Sequence, residues 1–342
     1  MKFPSQLYLG LLLTTLGIIS CQSQSADPTL PYDEIYAHCL DGNVLPAVEI
    51  LKREKGSNQK DREFKAHFLR RFGGVVDSTE INDNRLKELV SYFREYWHKS
   101  LLNRGQEYER ELMGKVIPYL MKNYSKARET KIGPDNIGTI LSDYIHSEGF
   151  YTRDRVSKLD PYVDLVIWSE QKDSIYTVDL DGNEFGVKVV CLNDFITKGW
   201  TDYATLGSHF SGGWTQDDGI YYVGNSYDID SEEFKVSLIA HEARHFLDHQ
   251  KYPDMSNDRM EYRGKLTELS LAKESLYNLI SFFIANAAEE SEVAHSVANY
   301  MLIHNLSKKI FNKDYVTDLN QWKSKDIPTI NKVAAELLDS GM

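Results

Sequence analysis

The residues best suited to chemistry lie in the segment 238–249, where two histidines stand four positions apart. On a helix, His241 and His245 share one face and lie one turn apart, so both imidazoles can bind a single metal ion. Glu242 follows the first histidine, and its carboxylate can reach a water molecule on the open side of that metal without becoming a ligand. The spacing therefore predicts a metal site with an acidic group beside it.

This His-Glu-x-x-His arrangement resembles the zincin superfamily of zinc metallopeptidases. The resemblance implies one zinc ion held by His241 and His245, with Glu242 as general base in the hydrolysis of peptide bonds. Arg244 departs from the family pattern, which usually has an uncharged residue at this interior position. We expect its side chain either to face solvent or to pair with a carboxylate.

Two histidines leave a catalytic zinc ion one protein ligand short. His249 is the nearest candidate, but eight residues of helix rotate a side chain by roughly 80° and carry it about 12 Å along the axis. Three histidines at this spacing therefore converge only if the helix breaks. A carboxylate on the next predicted helix fits better, either Glu261 near its start or Glu268 two turns later. Such a downstream glutamate resembles the gluzincin branch of the superfamily, and we favour Glu261 with Glu268 as the alternative.

Several polar residues near the motif could support it. Asp248 could accept a hydrogen bond from the ring of His245, or it could be an exposed helix residue. Arg263 could hold the carboxylate of Glu261 in place. Three more histidines are predicted to be structural or surface residues, with binding of a substrate oxyanion as the alternative: His209, His295 and His304.

The elements around the motif predict an α+β domain. Two runs of alternating apolar residues flank an Asp-Gly turn at 181–182, which is typical of a β-hairpin. A further apolar run, Ile220 to Val223, is predicted to be a strand placed along the cleft, where the zincin resemblance implies that extended substrates bind. The pattern becomes helical after Asp228, with a helix start expected at Ser231, and remains helical to the end of the chain.

The preceding part of the chain shows only helical periodicity. Apolar residues recur at steps of three and four, as at Leu89, Val90, Phe93 and Trp97, which predicts a buried helix face and no binding chemistry. The predicted architecture is an all-α domain over residues 32–158 followed by a zincin-like α+β domain over residues 159–342.

The first residues predict how the protein is delivered. Residues 1–20 combine an early lysine, a short apolar run and a small residue before Cys21, which resembles a bacterial lipoprotein signal. The resemblance implies cleavage before Cys21, lipid attachment to its sulfur, and a tether over residues 21–31. An ordinary secretory signal or an uncleaved anchor is the alternative. We expect a membrane-anchored protein of the bacterial cell envelope, on the periplasmic or the cell-surface side.

The charge and cysteine content of the chain restrict the kinds of partner that we expect. The 342 residues carry a net charge of −12 without a basic tract, which excludes nucleic acid as an expected partner because phosphate binding needs clustered cations. Three cysteines are too few for a disulfide scaffold, and pairing of Cys39 with Cys191 stays open. The expected partners are a peptide or protein substrate and, through lipid, a membrane. The alternative function is a catalytically silent zincin-like lipoprotein that acts as a binding module.

Overall fold

The computed structural model describes residues 10–11, 30–73, 83–180, 182–216, 218–290 and 294–340. The predicted lipidation site Cys21 and most of the predicted signal peptide and tether lie outside these residues. Within the described ranges, 14 α-helices accompany a six-stranded and a two-stranded sheet. The expectation of a chain that mixes helices and strands is therefore confirmed. None of the helices in these ranges is both long and apolar enough to cross a membrane.

The chain forms two compact units, each assembled from several stretches of sequence. The first unit contains residues 1–172, 191–216 and 221–223, and the second contains residues 173–190, 217–220 and 224–342. Each unit has a separate apolar core, which runs from Leu30 to Leu206 in the first and from Val236 to Leu338 in the second.

The first unit is mainly helical, as the periodicity predicted. Its helices are α1 Tyr32–Leu40, α2 Leu45–Arg53, α3 Gln59–Phe72, α4 Lys87–Leu102, α5 Glu109–Asn123, α6 Ser125–Glu129, α7 Ile137–Ser147 and α8 Trp200–Ala204. The apolar face predicted from Leu89, Val90, Phe93 and Trp97 is fully buried on α4. Burying each such side chain contributes about 1.5–3 kcal/mol, so this face is a major stabilising element of the unit.

The strands confirm the predicted hairpin. They are β1 Gly10–Leu11, β2 Tyr151–Thr152, β3 Lys158–Leu159, β4 Tyr162–Val163, β5 Val166–Leu180, β6 Asn183–Lys198, β7 Gly213–Gln216 and β8 Gly219–Val223. β3 pairs with β4, and the larger sheet has the order β1-β7-β8-β6-β5-β2. Gly182 adopts a φ of 74° between β5 and β6, a left-handed conformation that suits glycine.

The position of β8 corrects one expectation. The apolar run Ile220 to Val223 does form a strand, but β8 lies between β7 and β6 and is hydrogen-bonded to both. A strand that binds an extended peptide through its backbone needs an unpaired edge. The prediction that this strand pairs with substrate is therefore wrong.

The second unit is helical after residue 232. A π-helical segment, Glu233–Ala240, continues into α9 His241–Lys251, and the other helices are α10 Asn257–Leu271, α11 Leu276–Ala285, α12 Ala294–Phe311, α13 Leu319–Lys323 and α14 Ile327–Asp339. The Ser231 hydroxyl accepts a hydrogen bond from the Phe234 amide at 3.1 Å, which confirms the predicted helix start. α10 is the central helix, because it packs against α9, α12 and α14.

Candidate metal centre

Helices α9 and α10 bring together the three residues predicted as metal ligands. One ligand atom from each of His241, His245 and Glu261 can be chosen so that all three lie within 4.8 Å of one another. His241 Nε2 is 3.5 Å from Glu261 Oε2, and His245 Nε2 is 4.0 Å from Glu261 Oε1. Two ligands each about 2.1 Å from a tetrahedral zinc ion lie about 3.4 Å apart, so the cluster is close to the required size.

Most polar atoms of this cluster lack a well-aligned hydrogen bond. Nε2 of His241, both ring nitrogens of His245 and both oxygens of Glu261 are buried without a hydrogen bond of good geometry. Leaving a buried polar atom unpaired costs about 1–3 kcal/mol, so several such atoms at one point indicate that a ligand completes them. Two imidazoles and a carboxylate form a donor set that suits zinc.

Gly264 allows the two helices to approach this closely. A Cβ atom at this position of α10 would lie 2.7 Å from both Cε1 and Nε2 of His241. Carbon and nitrogen atoms in non-bonded contact need more than 3 Å, so any larger residue would displace the imidazole or the helix. The sequence analysis missed this role of Gly264, and the only signal was a glycine inside a helical pattern.

Glu268 orients the imidazole of His241 and contributes no atom to the cluster of three ligand atoms. Its Oε1 accepts a hydrogen bond from Nδ1 of His241 at 2.6 Å. This bond holds a proton on Nδ1 and orients the ring so that Nε2 faces Glu261. Of the two carboxylates proposed as third ligand, the geometry favours Glu261 and assigns Glu268 to positioning His241.

The charges of the cluster favour a cation at this point. Burial by itself disfavours a charge on His241, but the hydrogen bonds and charges of Glu261 and Glu268 outweigh burial and raise the pKa of the imidazole to about 10. Burial also disfavours a charge on Glu261, yet contacts with His241 and His295 hold the pKa of its carboxyl well below the usual range. In the metal-free protein at neutral pH, the His241 imidazole is therefore positively charged, with a proton on each ring nitrogen.

Glu242 lies in the same buried region. Its side chain is fully buried, and its Oε2 is 3.6 Å from Nδ1 of His245. The carboxylate of Glu242 therefore lies beside the cluster, while Glu261 on the facing helix offers the one carboxylate oxygen of the cluster.

Two expectations about neighbouring charges are wrong. Asp248 neither binds a histidine ring nor faces solvent, because it is buried and pairs with Arg263 through two contacts of 2.6 and 3.0 Å. Arg263 is therefore engaged with Asp248 and does not hold Glu261. Of the two alternatives for Arg244, pairing with a carboxylate is confirmed: the side chain is buried and its Nη1 lies 3.9 Å from Asp248 Oδ1. Its Nε also donates to Thr267 Oγ1 at 3.1 Å.

Besides His241 and His245, four histidines were considered as candidates, and the structure places three of them away from the site and one at it. His249 is exposed near the end of α9, in agreement with the expectation that it is no ligand. His209 packs against Tyr36 in the first unit, and His304 stacks on a neighbouring tyrosine of α12. His295, at the start of α12, was expected to be structural or exposed, but its Nδ1 lies 2.7 Å from Glu261 Oε2. Nothing in its local sequence distinguishes it from the others.

In searches for known relatives of this chain, no family model, curated protein or solved structure matched. Its function must therefore be inferred from its own residues and geometry.

Proposed function

We propose that this chain is a zinc-dependent peptidase whose metal ligands are His241, His245 and Glu261. The observation that carries the proposal is the convergence of three buried ligand atoms that lack hydrogen bonds, next to the carboxylate of Glu242. It supports the zincin-like, gluzincin-type interpretation of the His-Glu-x-x-His motif.

Each residue has a definite task in peptide hydrolysis. His241, His245 and Glu261 hold the ion, and Glu268 keeps the proton of His241 on Nδ1. Zinc, when bound, polarises the substrate carbonyl and lowers the pKa of water. The Glu242 carboxylate accepts a proton from the attacking water and delivers it to the leaving amine.

The alternative, a catalytically silent binding module, would require that Arg244 disturbs the motif or that no third ligand reaches the two histidines. Arg244 is buried and hydrogen-bonded to Thr267, so its charge is accommodated by α10. Glu261 supplies a carboxylate at the required distance from the histidines. Both observations favour the enzyme over the silent module.

The proposal places this activity in the bacterial cell envelope. The lipoprotein-like residues before Cys21 support a lipid anchor and a soluble body carried on the tether at residues 21–31. Labelling of growing cells with a fatty-acid analogue tests the anchor. The wild type should take up label, and Cys21→Ser should not; label on Cys21→Ser would contradict lipid attachment at this residue.

Glu242→Gln tests the catalytic role. We expect this variant to bind one zinc ion per chain and to lose at least about a hundredfold in hydrolysis of a fluorescently labelled unfolded protein, because general-base catalysis contributes about 10²–10⁴-fold. Glu233→Gln, which changes an exposed carboxylate nine residues before Glu242, is the matched control and should keep full activity.

The outcomes separate the two functions. Zinc binding with a Glu242-dependent activity supports the peptidase. Stoichiometric zinc without hydrolysis of unfolded proteins would favour a binding module. A wild-type chain that takes up no zinc would contradict the metal site itself, and His241→Ala provides the matching metal-free reference.

A further inference from the structure

His295 contacts the predicted metal ligand Glu261 from a third helix. Its Nδ1 lies 2.7 Å from Glu261 Oε2, although not in the alignment of a good hydrogen bond. The same Oε2 is 3.5 Å from Nε2 of His241, so one carboxylate oxygen lies between two imidazoles. The side chain of His295 is 32% exposed, whereas those of His241 and Glu261 are 0% and 1% exposed.

The position of His295 differs from that of the three clustered ligands. The ligand atoms that lie within 4.8 Å of one another come from His241, His245 and Glu261, and His295 does not belong to this group. Its ring reaches the carboxylate of Glu261. A metal-bound carboxylate uses one oxygen for the ion, and its other oxygen needs a donor to fix the plane of the group.

We infer that His295 is a positioning residue, which donates from Nδ1 to Oε2 of Glu261 and leaves Oε1 for the metal. This inference rests on the proposed zinc site. This contact connects the start of α12 to Glu261 on α10. Glu268, which also lies on α10, orients His241 on α9. Each of the two ligands would then be held by a separate partner outside the metal's own ligand set. His295 would be the more accessible of these two partners.

Two substitutions of His295 test this role through zinc affinity. His295→Leu removes the donor, whereas His295→Asn places an amide nitrogen where Nδ1 lies. Loss of such a partner typically weakens metal binding by 10–100-fold. We expect this loss for leucine and recovery to within about threefold of wild type for asparagine. His249→Leu, which removes an exposed histidine from α9, is the control and should leave zinc affinity unchanged.

Cobalt spectra of the full chain distinguish positioning from ligation. If His295 positions Glu261, the cobalt-saturated leucine variant keeps the visible spectrum of the wild type, because the ligand set is unchanged. A changed spectrum, with no rescue by asparagine, would make His295 a fourth ligand and overturn the inference. Unchanged zinc affinity in His295→Leu would overturn it too. Absence of zinc in the wild type would instead defeat the proposed function, and the inference with it.

Discussion

Two buried charged groups on the same pair of helices, α9 and α10, differ in how fully they are satisfied. Near the end of α9, Asp248 accepts two hydrogen bonds from Arg263, whose Nη1 also donates to the Leu338 carbonyl at 3.0 Å. Earlier on the same two helices, His241, His245 and Glu261 are also buried, but most of their polar atoms lack well-aligned hydrogen bonds.

This difference separates structure from function. A charge pair with all its bonds made needs nothing further, so it serves to fix the two helices and α14 against one another. A cluster of buried polar atoms without hydrogen bonds lowers the stability of the fold. Such sites persist where a bound ligand restores that stability. The charges of the first region complete one another, whereas the second region is where we propose that a cation binds.

Breaking the satisfied pair should have the largest effect. Asp248→Ala leaves the Arg263 guanidinium buried without its partner, and we expect the free energy of unfolding to fall by about 3–5 kcal/mol. Denaturant unfolding of the metal-free protein measures this change. Asp254→Ala, an exposed aspartate after α9, should change it by less than about 0.5 kcal/mol.

The pair also permits a sharper test of its structural role. Replacing both partners, as Asp248→Leu with Arg263→Met, should recover part of the lost stability because the Arg263 charge is no longer buried without Asp248. Arg244, 3.9 Å from Asp248, still loses that carboxylate. If the double variant is no more stable than Asp248→Ala, the pair does more than join helices.

Gly264→Ala should have the next largest effect, on the unsatisfied cluster. The added Cβ would occupy space 2.7 Å from His241 Nε2, so we expect zinc affinity to fall by at least about a hundredfold, or about 2.7 kcal/mol. Gly114→Ala on α5, where an added Cβ meets no atom within 4 Å, is the control and should bind zinc normally. Normal zinc binding by Gly264→Ala would show that the helices separate without cost.

Glu268→Ala should weaken zinc binding by about 10–100-fold, since Nδ1 of His241 loses its acceptor. Glu261→Ala should cost more, because it removes a ligand. Zinc titration of both variants ranks the two carboxylates, with the exposed Glu274→Ala as control. A greater loss for Glu268→Ala than for Glu261→Ala would reverse their assigned roles.

A separate prediction concerns the pH dependence of zinc binding in the unmutated protein. The raised pKa of His241, about 10, means that zinc must displace one proton at neutral pH. Affinity should therefore increase by about tenfold per pH unit as pH rises from about 7 and level off near pH 10. Calorimetry in buffers of different ionisation enthalpy measures the released proton. An equal heat in all buffers at pH 8 would contradict a protonated His241.

The same shift sets the pH dependence of the metal-free fold. A histidine whose pKa is higher in the folded than in the unfolded state stabilises the fold below its unfolded value of 6.5. That contribution is lost as pH rises through about 10. We expect an alkaline loss of stability in metal-free wild type that is smaller in His241→Ala, measured by melting temperature against pH.

Sequence reasoning was most successful where the interactions are local. The four-residue spacing of His241 and His245, the capping hydroxyl of Ser231 and the hairpin at Gly182 follow from backbone periodicity and turn chemistry within a few positions. It failed where partners are distant. The strand Gly219–Val223 was expected along a cleft, but its neighbours in the sheet enclose it, and strand order is not encoded in local alternation.

By itself, the sequence determined the two imidazoles, the adjacent Glu242 and a short set of possible third ligands, because helical geometry relates residues within a few turns. Only the tertiary structure decided between Glu261 and Glu268, brought His295 to the carboxylate and showed why Gly264 lies on α10. These outcomes depend on how α9, α10 and α12 pack. Packing angles arise from side chains far apart in the chain, so no local pattern contains them.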